Sequence, residues 1–289
     1  MWRTSRRQRR AHVAAFAPWV LLLLAAPVLA GCGAVHGSGT AGAKAESGAT
    51  LIVFAASSLT DAFREIGARH EREHPGSRVV FQFAGSSQLR LQLEQGATAD
   101  VFAPANLEQM DQARAAGLLG GPVRVFASNR LVVIHPVGNP AGIRSLGDLA
   151  RDGVRLVTAP PEVPIGAYTR EMLDRAQRDG AFGRDFKQRV LANVVSEEPN
   201  VRQAVAKVRL GEADAAVVYA SDVTPDMRPH LGVVTIPDAY NISASYPLAV
   251  LGNAPHPEAA RDFVERVLGP EGQQILEAWG FEPAAGARP

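Results

Sequence analysis

The stretch Val53-Phe54-Ala55-Ala56-Ser57-Ser58-Leu59-Thr60-Asp61-Ala62 passes from an apolar run, through a small polar turn, into an amphipathic segment. Residues 51–55 read as a buried strand, Ser57 and Ser58 as a cap, and residues 59–72 as a helix with Leu59, Phe63, Ile66 and His70 at helical spacing. The same order follows at once. A strand over 79–84 leads into Gly85-Ser86-Ser87, which opens a helix carrying Leu89 and Leu93. Asp100-Val101-Phe102-Ala103 then precedes a helix over 106–116. Repetition of strand and helix in this order predicts parallel sheets with ligands at the carboxyl ends of the strands. Strands over 123–127 and 131–135 follow. A second series comprises a strand over 155–158, a helix over 166–177, a strand over 191–195, a helix over 201–210 and a strand over 215–219. The chain closes with a strand over 246–251 and helices over 257–268 and 271–279, and no segment repeats at a fixed period. Two α/β units are expected.

With 289 residues, 46% hydrophobic and 20% charged, the chain can bury a large core, which excludes disordered, collagen-like and disulfide-scaffold classes. Residues 1–31 hold five arginines and no acidic residue, whereas 25 basic residues face 29 acidic ones from Cys32 onward. A body of net charge −4 gives no footing for nucleic acid held by bulk positive charge. The basic start is followed by an uncharged run over 13–30, interrupted by Pro18 and Pro27, and then by Leu29-Ala30-Gly31-Cys32. That ending resembles the bacterial lipobox. It implies a lipoprotein signal peptide over 1–31, lipidation at Cys32, and a membrane anchor facing the extracellular or periplasmic side. Cys32 is the only cysteine, so no intramolecular disulfide is available to it. Residues 32–49, rich in Gly and Ala, read as a flexible tether. Ser5-Arg6-Arg7 lacks the apolar residues expected after a twin-arginine pair, so the export route stays open.

Two strand-to-helix junctions carry serine pairs, Ser57-Ser58 and Ser86-Ser87, with no charge in the turn. Helix starts present unpaired N–H groups and a partial positive charge, so serine there either caps the helix or helps bind an oxyanion. The doubling at successive turns favours the oxyanion, because one serine can cap while the other faces a cleft. Asp61, three residues after Ser58, is expected to complete a capping box. Further candidates are the turn Val163-Pro164-Ile165-Gly166, the helix start at Val201-Arg202, and Tyr219, which ends an apolar strand.

These residues, in this order, together with Gly96-Ala97-Thr98-Ala99-Asp100-Val101-Phe102, Gly211-Glu212-Ala213-Asp214-Ala215 and Tyr246-Pro247, resemble the substrate-binding proteins of bacterial molybdate ABC importers. The resemblance covers residues 50–283. It implies a two-lobed, type II periplasmic-binding-protein fold, with lobe I over 50–129 and 240–289, lobe II over 130–239, and the ligand between them. It also implies that Ser58, Ser86, the amides of Ile165 and Val201, and the Tyr219 hydroxyl hold molybdate or tungstate, with Ser57 or Ser87 able to share the serine roles. No cofactor and no catalysis are implied. The expected partners are the oxyanion and an ABC permease with its ATPase subunit, and the chain is expected to act as a monomer. Ile165 stands where the family often has Ala, which touches the cavity wall more than the amide.

A sulfate or thiosulfate receptor would use the same donors. A serine hydrolase is the reading from another class, but no Gly-x-Ser-x-Gly elbow occurs and neither doublet opens a Ser-x-x-Lys motif. His70, His74, His135, His230 and His256 are read mostly as surface residues. No Gly-x-x-x-x-Gly-Lys loop is present, so the energy of transport must come from another subunit.

Overall fold

A computed structural model describes residues 48–284. The signal-peptide reading, the lipobox and the tether up to residue 47 lie outside the described residues. Among the described residues no helix is long and apolar enough to cross a membrane.

The elements run β1 (Thr50–Ala56), α1 (Thr60–Glu73), β2 (Arg78–Ala84), α2 (Ser86–Glu94), β3 (Val101–Ala103), α3 (Leu107–Ala115), β4 (Arg124–Pro136) and β5 (Leu156–Thr158). There follow α4 (Pro164–Asp179), α5 (Phe186–Ala192), β6 (Val194–Glu197), α6 (Val201–Arg209), β7 (Ala215–Tyr219), β8 (Leu231–Thr235), β9 (Ser243–Val250), α7 (Pro257–Leu268), α8 (Pro270–Ala278) and β10 (Glu282–Pro283). The strand order is β2-β1-β3-β9-β4-β7-β5-β6, with β8 and β10 also pairing β4. The expected parallel βα repeats form two wings: β1 pairs β2 and β3 in one, and β5 pairs β6 and β7 in the other. Antiparallel pairs made by β4 and β9 join the wings into a mixed sheet.

β4 corrects the expectation of two strands, because it is one element of 13 residues that changes partner midway. Its residues 124–130 pair with β9, and residues 131–136 pair with β7 and β8. Where the partner changes, Asn129 is fully buried and its Nδ2 donates to Ser221 Oγ at 2.8 Å. Polar residues that look like a turn in sequence are thus satisfied inside a continuous strand. Leu191, expected in a strand, instead lies in the last turn of α5, whose Phe186 and Val190 are buried.

Along β1, Leu51, Val53 and Ala55 face one core with Phe63 and Ile66 of α1 and Phe263 of α7. The alternate residue Phe54 faces a second core with Leu89 and Leu93 of α2 and Met110 of α3. This period-two alternation is why both faces of the sheet carry helices. The start of each wing is pinned by a buried carboxylate. Asp100 accepts from Ile52 N and His256 N at 2.7 and 2.8 Å, and Asp214 accepts from Arg155 N at 2.8 Å. The two Ala-Asp motifs of the sequence therefore act in strand registration.

Candidate functional site

The carboxyl ends of β1, β2 and β7 and the amino ends of α4 and α6 converge on one cavity. Its accessible volume is about 10 Å³, roughly the room of one water molecule. Among its lining residues are Ser57, Ser58, Gly85, Ser86, Ala105, Ile165, Asn200, Val201 and Tyr219, and no carboxylate or histidine lines it. Six of the seven residues singled out in the sequence therefore meet here. Ser87 is buried but does not line the cavity.

The serines are not helix caps. Ser57 and Ser58 belong to a 3-10 turn, the N-cap of α1 is Leu59, and no side chain caps that helix start. Ser58 Oγ instead lies 3.0 Å from Tyr246 Oη, on the central strand β9. Ser86 is the first residue of α2, after the N-cap Gly85, and its Oγ accepts from Ala105 N–H at 3.0 Å. Both hydroxyl oxygens are therefore held from behind. With Ala105 N–H occupying a lone pair of Ser86 Oγ, the Ser86 proton is free to point forward. Tyr246, the stronger donor of its pair, can serve Ser58 in the same way.

Two backbone amides complete the wall from the other wing. Pro164 occupies the first position of α4, and the first helical bond runs from Ala167 N–H to Val163 C=O at 3.0 Å. The Ile165 N–H, two residues earlier, has no carbonyl within the helix to donate to. Val201 opens α6 after Asn200, whose side chain accepts from Gln203 N, so the Val201 N–H is likewise left over.

Tyr219 is 1% exposed, and its Oη is buried with no hydrogen-bond partner. Its ring sits edge-on to Tyr168 and Tyr246, while its backbone N–H donates to Asp222 Oδ2 at 3.2 Å. Burial, then the neighbouring Tyr246, pushes the phenol well above its usual pKa, so it remains a proton donor. A buried donor without an acceptor costs about 1–3 kcal/mol and marks a place where an acceptor fits.

A full cation, Arg202, follows Val201 in the chain, and it is already engaged by carboxylates. Its Nη2 donates to Asp61 Oδ2 at 2.6 Å, and its Nε lies 3.1 Å from Asp222 Oδ1. Asp61 therefore does not complete the expected capping box; it pairs with an arginine from the other wing. Burial raises Asp222 to about 6 against the pull of Arg202. The wings also meet where Gln109 Nε2 donates to Glu162 O at 3.1 Å, and where Gly85 lies so close that a Cβ there would stand 2.2 Å from Pro199 O. Tyr246, Ala105 and the Arg202–Asp61 pair carry no local signal, since their partners lie 19 to 188 residues away.

The chain matches the family model for bacterial extracellular solute-binding proteins over residues 51–282. It is 40% identical over 262 residues to the molybdate-binding protein ModA of Mycobacterium tuberculosis, covering 90% of this chain and 95% of that one. Among solved structures, the periplasmic molybdate-binding protein of Azotobacter vinelandii superposes with a TM-score of 0.69 at 20% identity, over 81% of this chain and all of that one. The sulfate-binding protein SubI of Mycobacterium tuberculosis gives 0.75 at 19% identity, over 83% and 88%. The fold alone therefore does not select between the two anions.

Proposed function

Because the chain belongs to the family of bacterial extracellular solute-binding proteins, we propose that it captures molybdate, and tungstate through the same contacts, and delivers it to an ABC importer permease. The carrying observation is the partnerless Tyr219 hydroxyl, buried on a cavity whose other polar groups are neutral donors. In this reading Ser58 Oγ, Ser86 Oγ, the Ile165 and Val201 amides and Tyr219 Oη each donate to one oxyanion, with Ser57 as a further neighbour. Hydrogen bonds to a charged acceptor are worth about 1.5–3 kcal/mol each, so a divalent anion can be held without a counter-ion. With no carboxylate on the wall, a protonated oxyanion finds no acceptor for its proton. Molybdate, tungstate and sulfate, unprotonated near neutral pH, offer acceptors only. The relatedness to molybdate-binding proteins favours the larger two.

Lobe I over 50–129 and 240–289 and lobe II over 130–239 close around the anion in this mechanism. The Arg202–Asp61 and Gln109–Glu162 bonds, each joining one lobe to the other, support it. Cys32 carries the lipid, residues 32–49 form the tether, and the ATPase subunit of the importer supplies the energy. No cofactor takes part. Calorimetric titration of the ligand-free protein with molybdate, tungstate and sulfate is the test. Molybdate and tungstate are expected to bind at least about 100-fold more tightly than sulfate, a difference of about 2.7 kcal/mol. Equal or tighter sulfate binding overturns the assignment.

A further inference from the structure

The opposite end of α1 carries a second cluster of donor groups. His70 lies about 15 Å along the helix from Thr60, where α1 begins beside the cavity. It is 1% exposed, and its Nδ1 is buried without a hydrogen-bond partner. His74, one turn later, stacks on it with ring centroids 4.3 Å apart. Its Nδ1 lies 2.9 Å from the His70 carbonyl. A carbonyl only accepts, so Nδ1 carries the proton, and in the neutral ring Nε2 holds the lone pair. Asp262, from α7, places Oδ2 at 3.1 Å from His74 Nε2 and 3.6 Å from His70 Nδ1. All three donor atoms lie within 4.8 Å of one another.

We propose that His70, His74 and Asp262 form a binding site for a first-row divalent transition-metal ion of the class that imidazole favours, Zn²⁺, Ni²⁺ or Cu²⁺. Two imidazoles and one carboxylate give three protein ligands, and the exposed side of Asp262 leaves a fourth position to water. The His70 carbonyl supplies the outer contact that metal-bound histidines require, fixing which nitrogen of His74 faces the ion. Metal–nitrogen bonds of about 2.0–2.1 Å require the donors to draw together, and the part-exposed His74 ring is free to tilt toward the buried one. Burial, and next the neighbouring His74, lowers His70 to about 4, so its lone pair is available at neutral pH. Arg266, the nearby cation, is engaged by Glu73 and Glu271, and Glu71 accepts from Val79 N–H, so neither adds a free charge to the site. A bound ion would cross-link α1 to α7. The inference rests on these residues alone and stands apart from the oxyanion reading.

Titration of the untagged protein with Co²⁺ and then Zn²⁺ tests it. The expected result is one Co²⁺ per chain with visible absorption of a four-coordinate ion, displacement by Zn²⁺, and a rise in melting temperature with Zn²⁺. His74→Ala and Asp262→Asn are each expected to weaken metal binding by more than about tenfold, with molybdate affinity unchanged. Absence of saturable binding to the wild type at micromolar metal overturns the site. Binding that persists undiminished in both variants overturns it too, because the ion is then held elsewhere. Loss of molybdate binding in the wild type bears on the proposed function and leaves this result untouched.

Discussion

Tyr219 and Ser86 both present hydroxyls to the cavity, but they differ in what holds them, and the difference separates two kinds of mutant. Tyr219 Oη has no partner, so Tyr219→Phe removes a donor from the anion while taking nothing from the ligand-free fold. Molybdate affinity is expected to fall about 10- to 150-fold, equivalent to 1.5–3 kcal/mol, with the ligand-free melting temperature equal or slightly higher. Ser86 Oγ accepts from Ala105 N–H, so Ser86→Ala both weakens the anion and leaves that buried amide unpaired. Its melting temperature is expected to drop by the equivalent of about 1–3 kcal/mol as well as its affinity. Calorimetry and thermal melts of the two variants, side by side, check the contrast; a destabilised Tyr219→Phe or an undisturbed Ser86→Ala contradicts it. Residue types at the turns were legible in the sequence, because a serine pair recurs at two successive strand-to-helix turns. The roles were less so. Nothing near Ser58 announces that its partner is Tyr246, or that Asp61 answers Arg202 across the wings.

Helix α1 links the two ends of one wing, and its His70 gives the chain a pH dependence of stability. In the fold this imidazole titrates at about 4, whereas in the unfolded chain it titrates near its usual 6.5. Between those values the unfolded chain binds more protons. The contribution is therefore fully present above pH 6.5 and is lost as pH falls through the window toward 4. It amounts to at most about 3 kcal/mol. Melting temperatures of the wild type, measured without metal, are expected to fall more steeply from pH 6.5 to pH 4 than those of His70→Leu. Parallel curves rule out His70 as the source. At this scale the βα units were legible because their apolar periods are strong and their turns are rich in Gly and Ser. β4 was not, since a strand that exchanges one partner for another looks like two strands around a polar break. β8 was missed because Leu231-Gly232-Val233-Val234-Thr235 leads into no helix and pairs only with β4. Gly232 there lies under the His135 ring, where a Cβ would stand 2.0 Å from Cε1.

For the whole molecule the decisive contact is Gly85 against Pro199. The φ of Gly85 is −63°, which alanine adopts without strain, so only the opposing carbonyl forbids a side chain there. That carbonyl belongs to the other lobe in the proposed mechanism. Gly85→Ala is therefore expected to fold with a ligand-free melting temperature close to wild type, yet fail to compact when molybdate is added, which small-angle scattering can follow. If the variant compacts as the wild type does, the lobes do not need to meet at this point. Closure in the proposed mechanism bears on time as well as affinity. An anion held between closed lobes leaves only when they part, so in that mechanism its residence is set by the opening of the molecule. A competing anion cannot hasten that step. Displacement of bound molybdate by excess tungstate should then proceed at one rate whatever the tungstate concentration, and a transporter that must unload quickly has to pull the lobes apart itself.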